Sequence, residues 1–240
     1  MKRSVLDYNI FEDNINTISI KGKSIINTIN PHSYVIAKQD RVFNEALLKS
    51  DVLLPDGIGI VYALKLLKSK KIKKIAGHDI FLYLLNKLNS EGGTCFFLGS
   101  TNTTLSRIEK KIKEEYPKIT VGTYSPPFKA EFTKEDNSDM ISKINAVNPD
   151  ILFVGMTAPK QEKWSFQNKG FINASVICSI GAVFDFYAET VKRPSGFWVY
   201  LGLEWLVRLV KNPSRLWRRT FVSTPIFIKD VLVLYFKKGF

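Results

Sequence analysis

Cysteine is nearly absent from these 240 residues: there are two, Cys95 and Cys178. Each stands in an apolar run, CFFLG and SVICSIG. That argues against a disulfide framework or a thiolate zinc site, and marks both as small core residues of a reducing compartment. Histidine is as scarce. His32 and His78 are the whole complement, which leaves little room for a histidine-rich metal centre, and both read as structural. No stretch of about 18 uncharged apolar residues exists, so nothing is expected to span a bilayer. The opening MKRSVLDYNIFEDN carries charge without an apolar core, so no secretory signal is expected. The P-loop, G-x-S-x-G and C-x-x-C patterns are missing. So is any Asp-x-Asp pair of the kind that holds a metal against a sugar-nucleotide diphosphate. In DNSD, at 136–139, two residues separate the aspartates, and the segment reads as a polar loop.

Apolar material is ample. Hydrophobic residues make up 45% of the chain and aromatic residues 12%, enough for a sizeable core, which excludes disorder, collagen and coiled coil. The length suits one large domain, or one domain with an appendage. Basic residues outnumber acidic ones by 35 to 22, for a net charge of +13, and the excess is concentrated. Six lysines and no acid lie between Lys65 and Lys74, and ten basic residues against two acids lie from Val191 to Phe240. The first window, KLLKSKKIKK, reads as a solvated lysine face. The second also holds Trp198, Trp205 and Trp217, three of the four tryptophans, and ten of the aromatic residues. Basic, tryptophan-rich and apolar at once, it suggests a surface that meets anionic lipid headgroups or nucleic acid.

Along the body, short β-branched or apolar runs alternate with longer helical patterns. Strands are expected at Ile25–Ile29, Val52–Leu54, Thr94–Leu98, Ile119–Thr123, Ile151–Val154 and Ser175–Ile180. Helices are expected at Ser33–Leu48, Ile58–Leu67, Asp79–Leu88, Thr103–Tyr116, Asp139–Val147 and Lys160–Asn168. This alternation predicts an α/β fold, a Rossmann-like and mostly parallel sheet with helices on both faces, over residues 1–190. Residues 191–240 are expected to form a helical appendage. There Ser195–Val210 reads as an amphipathic helix, with Glu204 and Arg208 four apart on one face. Arg208, Lys211, Arg215 and Arg218 follow at helical spacing. Pro213 is expected to divide the run into two helices, and the apolar stretch Pro225–Phe236 is too short to span a membrane.

In an open α/β sheet, ligands sit beyond the carboxyl ends of the strands. Three polar clusters fall there. LLPDGIG (53–59) leads from a strand into Asp56, two glycines and a helix start, where backbone can approach an anion. Asp56 either projects into the crevice or serves as an N-cap. FFLGSTNTT (96–104) fits phosphate binding or simple capping, and it lacks the G-x-G-x-x-G of a dinucleotide site. FVGMTAPKQEKW (153–164) ends a strand at Gly155. It opens a helix with Lys160, Gln161 and Glu162, read either as ligand contacts or as a solvated first turn.

Taken in order, INTINPHSYV, SDVLLPDGIGIVYA, KIAGHDIF, FFLGS, NPDILFVGMTAPKQEKW, IGAVFDFYAETVKRP and LEWLVRLVKNPSRLWRR cover nearly all of residues 24–219. This set resembles the WecG/TagA/CpsF glycosyltransferases, bacterial enzymes that extend lipid-linked sugars. The resemblance implies inverting transfer of a sugar, N-acetylmannosamine or its uronic acid, from UDP to an undecaprenyl-diphosphate-linked N-acetylglucosamine, with no metal and no cofactor. It implies a Rossmann-like core whose C-terminal appendage binds the anionic cytoplasmic face of the plasma membrane peripherally. By the same resemblance Asp56 is the catalytic base, Thr28 lies beside the acceptor, and Gln161 touches the donor. Arg208, Arg215 and Arg218 would close over the diphosphate. Lys74 stands where many relatives have arginine, which keeps the charge but loses the bidentate fork. If Asp56 were not the base, Asp79, Glu162 and Asp185 would be the carboxylates to consider. Two other classes fit part of the sequence. A basic nucleic-acid-binding α/β protein would account for the charge, but an RNP-type aromatic strand is missing and no nucleic-acid partner is expected. A soluble NAD-dependent oxidoreductase lacks its glycine fingerprint. The sequence leaves oligomeric state open, a homo-oligomer included.

Overall fold

The computed structural model describes residues 7–191, 206, 209–210 and 213–237. Its strands are β1 (Ser24–Ile29), β2 (Val52–Pro55), β3 (Gly93–Gly99), β4 (Ile119–Tyr124), β5 (Ile151–Gly155) and β6 (Val176–Ser179). They form one parallel sheet in the order β2-β1-β6-β5-β3-β4. Every expected strand is present, with ends shifted by no more than about one residue, well inside the usual boundary error. The strands were legible because a parallel sheet is buried on both faces, so they read as continuous apolar runs bounded by polar residues.

The helices are α1 (Pro31–Ala37), α2 (Arg41–Leu48), α3 (Ile58–Lys68), α4 (Gly77–Glu91), α5 (Asn102–Glu115), α6 (Lys134–Val147), α7 (Lys160–Asn168) and α8 (Val183–Tyr187). In the tail, α9 (Pro213–Trp217) leads through a π-helical turn, Arg218–Ser223, into α10 (Thr224–Lys237). Some expectations need correction. The single helix foreseen at Ser33–Leu48 is two, because Asn30 caps α1 and Asp40 separately caps α2, accepting from the Phe43 amide. DNSD is not a loop. Asp136 closes a capping box with Thr133, so α6 starts at Lys134 and carries all four residues. A polar first turn hid the start of that helix, which was expected only from Asp139, from an apolar-periodicity reading. Helix α8 was not foreseen, being five residues long. The helix expected at Ser195–Val210 lies outside the described residues apart from 206, 209 and 210. Pro213 opens α9, a position where its missing N–H is harmless.

The two faces of the sheet bury separate clusters. On one, Phe81 of α4 makes edge contacts with Phe153 at 5.1 Å and Tyr187 at 5.0 Å, and Phe97 stacks on Phe153 at 5.1 Å. On the other, Trp164, Met140 and Ile144 pack on Ile25 and Ile177. Full burial of each such side chain stabilises by about 1.5–3 kcal/mol, and this holds the strand ends in fixed positions. A further cluster at the β2 edge joins Phe43, Leu47, Ile60 and Leu64 with Phe227 and Val231 of α10. Phe227 meets the Tyr34 ring edge-on at 5.3 Å. The Tyr34 hydroxyl donates to Asp230 at 3.0 Å, and Lys38 pairs with the same carboxylate. The last helix is therefore pinned to α1 by apolar and charged contacts together.

Candidate active site

Strands β1 and β2 end side by side, with Thr28 opposite Leu54 and Ile29 opposite Pro55. Asp56 is the next residue, half-buried, and its amide donates to the Ile29 carbonyl at 2.9 Å. Helix α3 then starts with Gly57 as its N-cap at φ 134°, and no side chain caps it. That dihedral suits glycine. The N-cap reading of Asp56 is therefore excluded, since Gly57 holds that position. Thr28 is half-buried on the neighbouring strand. Lys74, also half-buried, returns to the same place: the Ile75 amide next to it donates to the Pro55 carbonyl at 3.1 Å. The fold thus gathers Asp56, Thr28 and Lys74 at one corner of the sheet.

A second group sits at the centre. Gly99 and Gly155 end β3 and β5 opposite one another. A Cβ on Gly99, whose φ is 118°, would stand 2.4 Å from the Gly155 oxygen. Beyond β6, Gly181 has φ 49°, and a Cβ there would lie 3.2 Å from Gln161 Oε1. A Cβ on Gly155 would meet the Phe184 ring at 2.4 Å, so Gly99 and Gly155 serve the close packing of the strand ends, while Gly181 borders Gln161. Gln161 and Glu162 are 4% and 2% exposed, so the solvated-turn reading of this helix start is excluded. Gln161 Oε1 accepts from the Met156 amide at 3.2 Å, and Gln161 Nε2 donates to Glu162 Oε1 at 2.9 Å. Burial pushes the Glu162 carboxyl up to about 7. Lys160 turns away and lies over the Phe132 ring at 3.5 Å. Of the other carboxylates, Asp79 caps α4 by accepting from the Ala76 amide at 2.8 Å, and Asp185 is half-buried in α8. Thr101 caps α5, accepting from the Thr104 amide at 3.2 Å, so capping accounts for that cluster.

The tail reaches the same end of the molecule. His32, in the first turn of α1, hydrogen-bonds through Nδ1 to the Ser223 hydroxyl at 2.8 Å. Burial lowers the His32 pKa, and the neighbouring Arg219 charge lowers it further. Arg218 is exposed and lies over the Trp217 ring at 5.7 Å. Arg215 falls within α9, its side chain outside what is described, and Arg208 lies outside the described residues. His78 is half-buried in the first turn of α4. Among the described residues no three His, Cys, Asp or Glu side chains cluster as metal ligands, and no helix is long and apolar enough to cross a membrane.

Residues 3–239 match the profile of the glycosyl transferase WecG/TagA/CpsF family. The chain is 32% identical over 209 residues to the N-acetylglucosaminyldiphosphoundecaprenol N-acetyl-beta-D-mannosaminyltransferase of Bacillus subtilis (strain 168), covering 87% of this chain and 79% of the relative. The protein of the same name from Bacillus spizizenii, strain W23, is 32% identical over 212 residues, covering 88% of this chain and 79% of the relative. The chain belongs to the WecG/TagA/CpsF family. It is a glycosyltransferase, and the oxidoreductase and nucleic-acid readings give way to that class.

For a glycosyltransferase the side chains that sequence reasoning passed over are informative. Arg219, next to the expected Arg218, is a tail arginine whose charge is felt at His32 of α1. Its only sequence signal was the doubled arginine in LWRR. Behind Gln161 runs a buried polar seam. Ser165 and Ser179 hydroxyls meet at 3.2 Å, and Asn27 Nδ2 donates to Ser50 Oγ at 2.9 Å. An asparagine inside the apolar run SIINTI was the visible hint, because such a residue needs a partner when buried.

Proposed function

We propose that this glycosyltransferase moves an N-acetylmannosamine-like sugar from a UDP donor to an undecaprenyl-diphosphate-linked N-acetylglucosamine, with inversion and without a metal. It would work peripherally on the cytoplasmic face of the bacterial plasma membrane, in cell-surface polysaccharide synthesis. The name that the two Bacillus relatives carry supports the acceptor and the sugar. The observation that carries the mechanism is the placement of Asp56, directly after β2 and directly before the Gly57 N-cap of α3, at the corner that Thr28 and Lys74 share.

A sugar hydroxyl is a poor nucleophile until its proton is taken. In this reading the Asp56 carboxylate accepts that proton while the hydroxyl oxygen attacks the donor's anomeric carbon from the side opposite UDP. The bond to the UDP oxygen breaks as the new one forms, so a single displacement inverts the centre. Thr28 holds the acceptor, and Gln161 the donor. Charge building on the leaving diphosphate meets Lys74 and the tail arginines Arg208, Arg215 and Arg218, where preorganised cations stabilise it as it develops. The basic tail thereby serves the chemistry as well as docking.

Asp56→Asn tests this directly. As the base, Asp56 acts mainly in the transition state, so kcat should fall by about 10²–10⁴-fold with donor KM little changed. The thermal melt should barely move, because Gly57 holds the cap. A variant keeping more than about a tenth of wild-type turnover, well short of that range, would remove Asp56 from the role.

A further inference from the structure

Helix α3 starts immediately after Asp56 and buries Ile60, Ala63, Leu64 and Leu67 against the core. Its opposite side is unusual for a helix facing water. Ile58, Tyr62 and Leu66, four residues apart, are 45%, 62% and 40% exposed. Single exposed apolar residues need no explanation, but three in one line on one helix do. They are bordered by the lysine window, in which Lys65, Lys71 and Lys73 are exposed; Lys70 is taken up by Glu12. Helix α10 lies alongside, with Phe227 close to Gly59, and it too presents apolar residues outward, Ile228, Leu232 and Phe236 at 50%, 43% and 70%.

We infer that the solvent face of α3, with Lys65, Lys71 and Lys73, is a docking surface for an anionic lipid bilayer, so that the catalytic core itself touches the membrane beside its active site. Charge complementarity selects the occupant. Interfacial helices sink apolar and tyrosine side chains into the headgroup boundary while lysines around them meet anionic lipid. Each lysine near such a surface strengthens binding appreciably. The helix is roughly 16 Å long, and its N-terminus is the Asp56 corner. A bilayer lying along it would let an acceptor present its sugar there while its polyprenyl chain stays in lipid. This inference rests on the lipid-linked acceptor proposed above.

The test uses the full chain and two variants, Lys65→Ala/Lys71→Ala/Lys73→Ala and Tyr62→Ser/Leu66→Ser. Flotation is measured with mixed phosphatidylcholine–phosphatidylglycerol vesicles, and with phosphatidylcholine alone. The lysine variant should lose on the order of 100-fold in partitioning to the mixed vesicles and little on the neutral ones. The apolar variant should weaken binding to both. Turnover of a water-soluble, short-chain acceptor analogue should match wild type in each. If wild type itself fails to turn over that analogue, the acceptor reading is at fault, and the flotation result still decides the docking surface. Wild-type flotation by the lysine variant overturns the inference, and that variant decides the matter if the apolar one does not fold. Unchanged flotation by both, with a lower sedimenting mass for the apolar variant, would assign the stripe to a second copy. Unchanged flotation by both, with a lower melting temperature for the apolar variant alone, would assign it to residues 192–205 of the same chain. Either outcome also overturns the inference.

Discussion

Glu162 shows how a neighbour can turn a surface-type residue into a buried one. It is 2% exposed, accepts from Gln161 through Oε1, and its Oε2 has no hydrogen-bond partner among the described residues. Burial raises its carboxyl from 4.5 to about 7. Between those values the unfolded chain has released the proton that the folded protein still holds. Stability contributed by the neutral acid is complete below pH 4.5 and is lost as the pH rises towards 7. The loss is on the order of 3 kcal/mol. Glu162→Gln keeps a carbonyl acceptor for Gln161 but cannot ionise. Its melting temperature should therefore rise relative to wild type at pH 8 and show no such gain at pH 4. A difference that is the same at both pH values would mean that Glu162 does not titrate in this window.

Among elements, α10 is the one that ties the described tail to α1 and to the β2 edge. Phe227 and Val231 bury into the cluster at the β2 edge, and Asp230 joins Tyr34 to Lys38 across the junction with α1. The carboxylate and burial together raise the Tyr34 pKa, burial first. Asp230→Ala should leave the Tyr34 hydroxyl buried without its acceptor and cost about 1–3 kcal/mol. A thermal melt measures this. Protection from amide exchange in 224–237 should fall more than in β5, since the hydrogen-bond and ion-pair partners of the Asp230 carboxylate among the described residues, Tyr34 and Lys38, belong to α1 and its C-cap. A melt unchanged by the substitution would show that the apolar contacts alone hold the helix. Deleting the whole tail is the blunter experiment, because it also strips Phe227 from Tyr34.

For the whole molecule, anion stabilisation in the proposed transfer falls to cations of the chain: Lys74 from the core and arginines from the tail. Transfer should therefore persist in EDTA, within about twofold of the untreated rate, a difference of well under 1 kcal/mol in barrier. Activity lost on chelation and restored by manganese or magnesium would overturn the metal-free reading. High salt should weaken docking on vesicles more than it slows turnover of a soluble acceptor, because exposed charges are screened over about 10 Å at 0.1 M while buried pairs are screened less.

Much of this molecule was legible along the chain. Apolar runs such as ILFVG and VICS are self-evident strands because a parallel sheet buries both of their faces, so no cross-chain knowledge is needed to see them. The family segments located Asp56, Thr28, Lys74 and Gln161 by type and order. Local sequence could not decide what those side chains do, because that depends on neighbours distant in sequence. Asp56 reads equally well as a cap until Gly57 is seen to hold the cap position. Glu162 reads as a solvated first-turn residue until α7 packs it under the sheet. Lys74 reads as one lysine of six until the Ile75 amide ties it to Pro55. KLLKSKKIKK is only a charged stretch until α3 shows which of its neighbours are buried and which are left in the open. Pattern along the chain determined the strands and most helices, since those rest on local periodicity. Burial and the pairing of remote residues were decided only by the tertiary fold, because desolvation and charge depend on what surrounds a group in space.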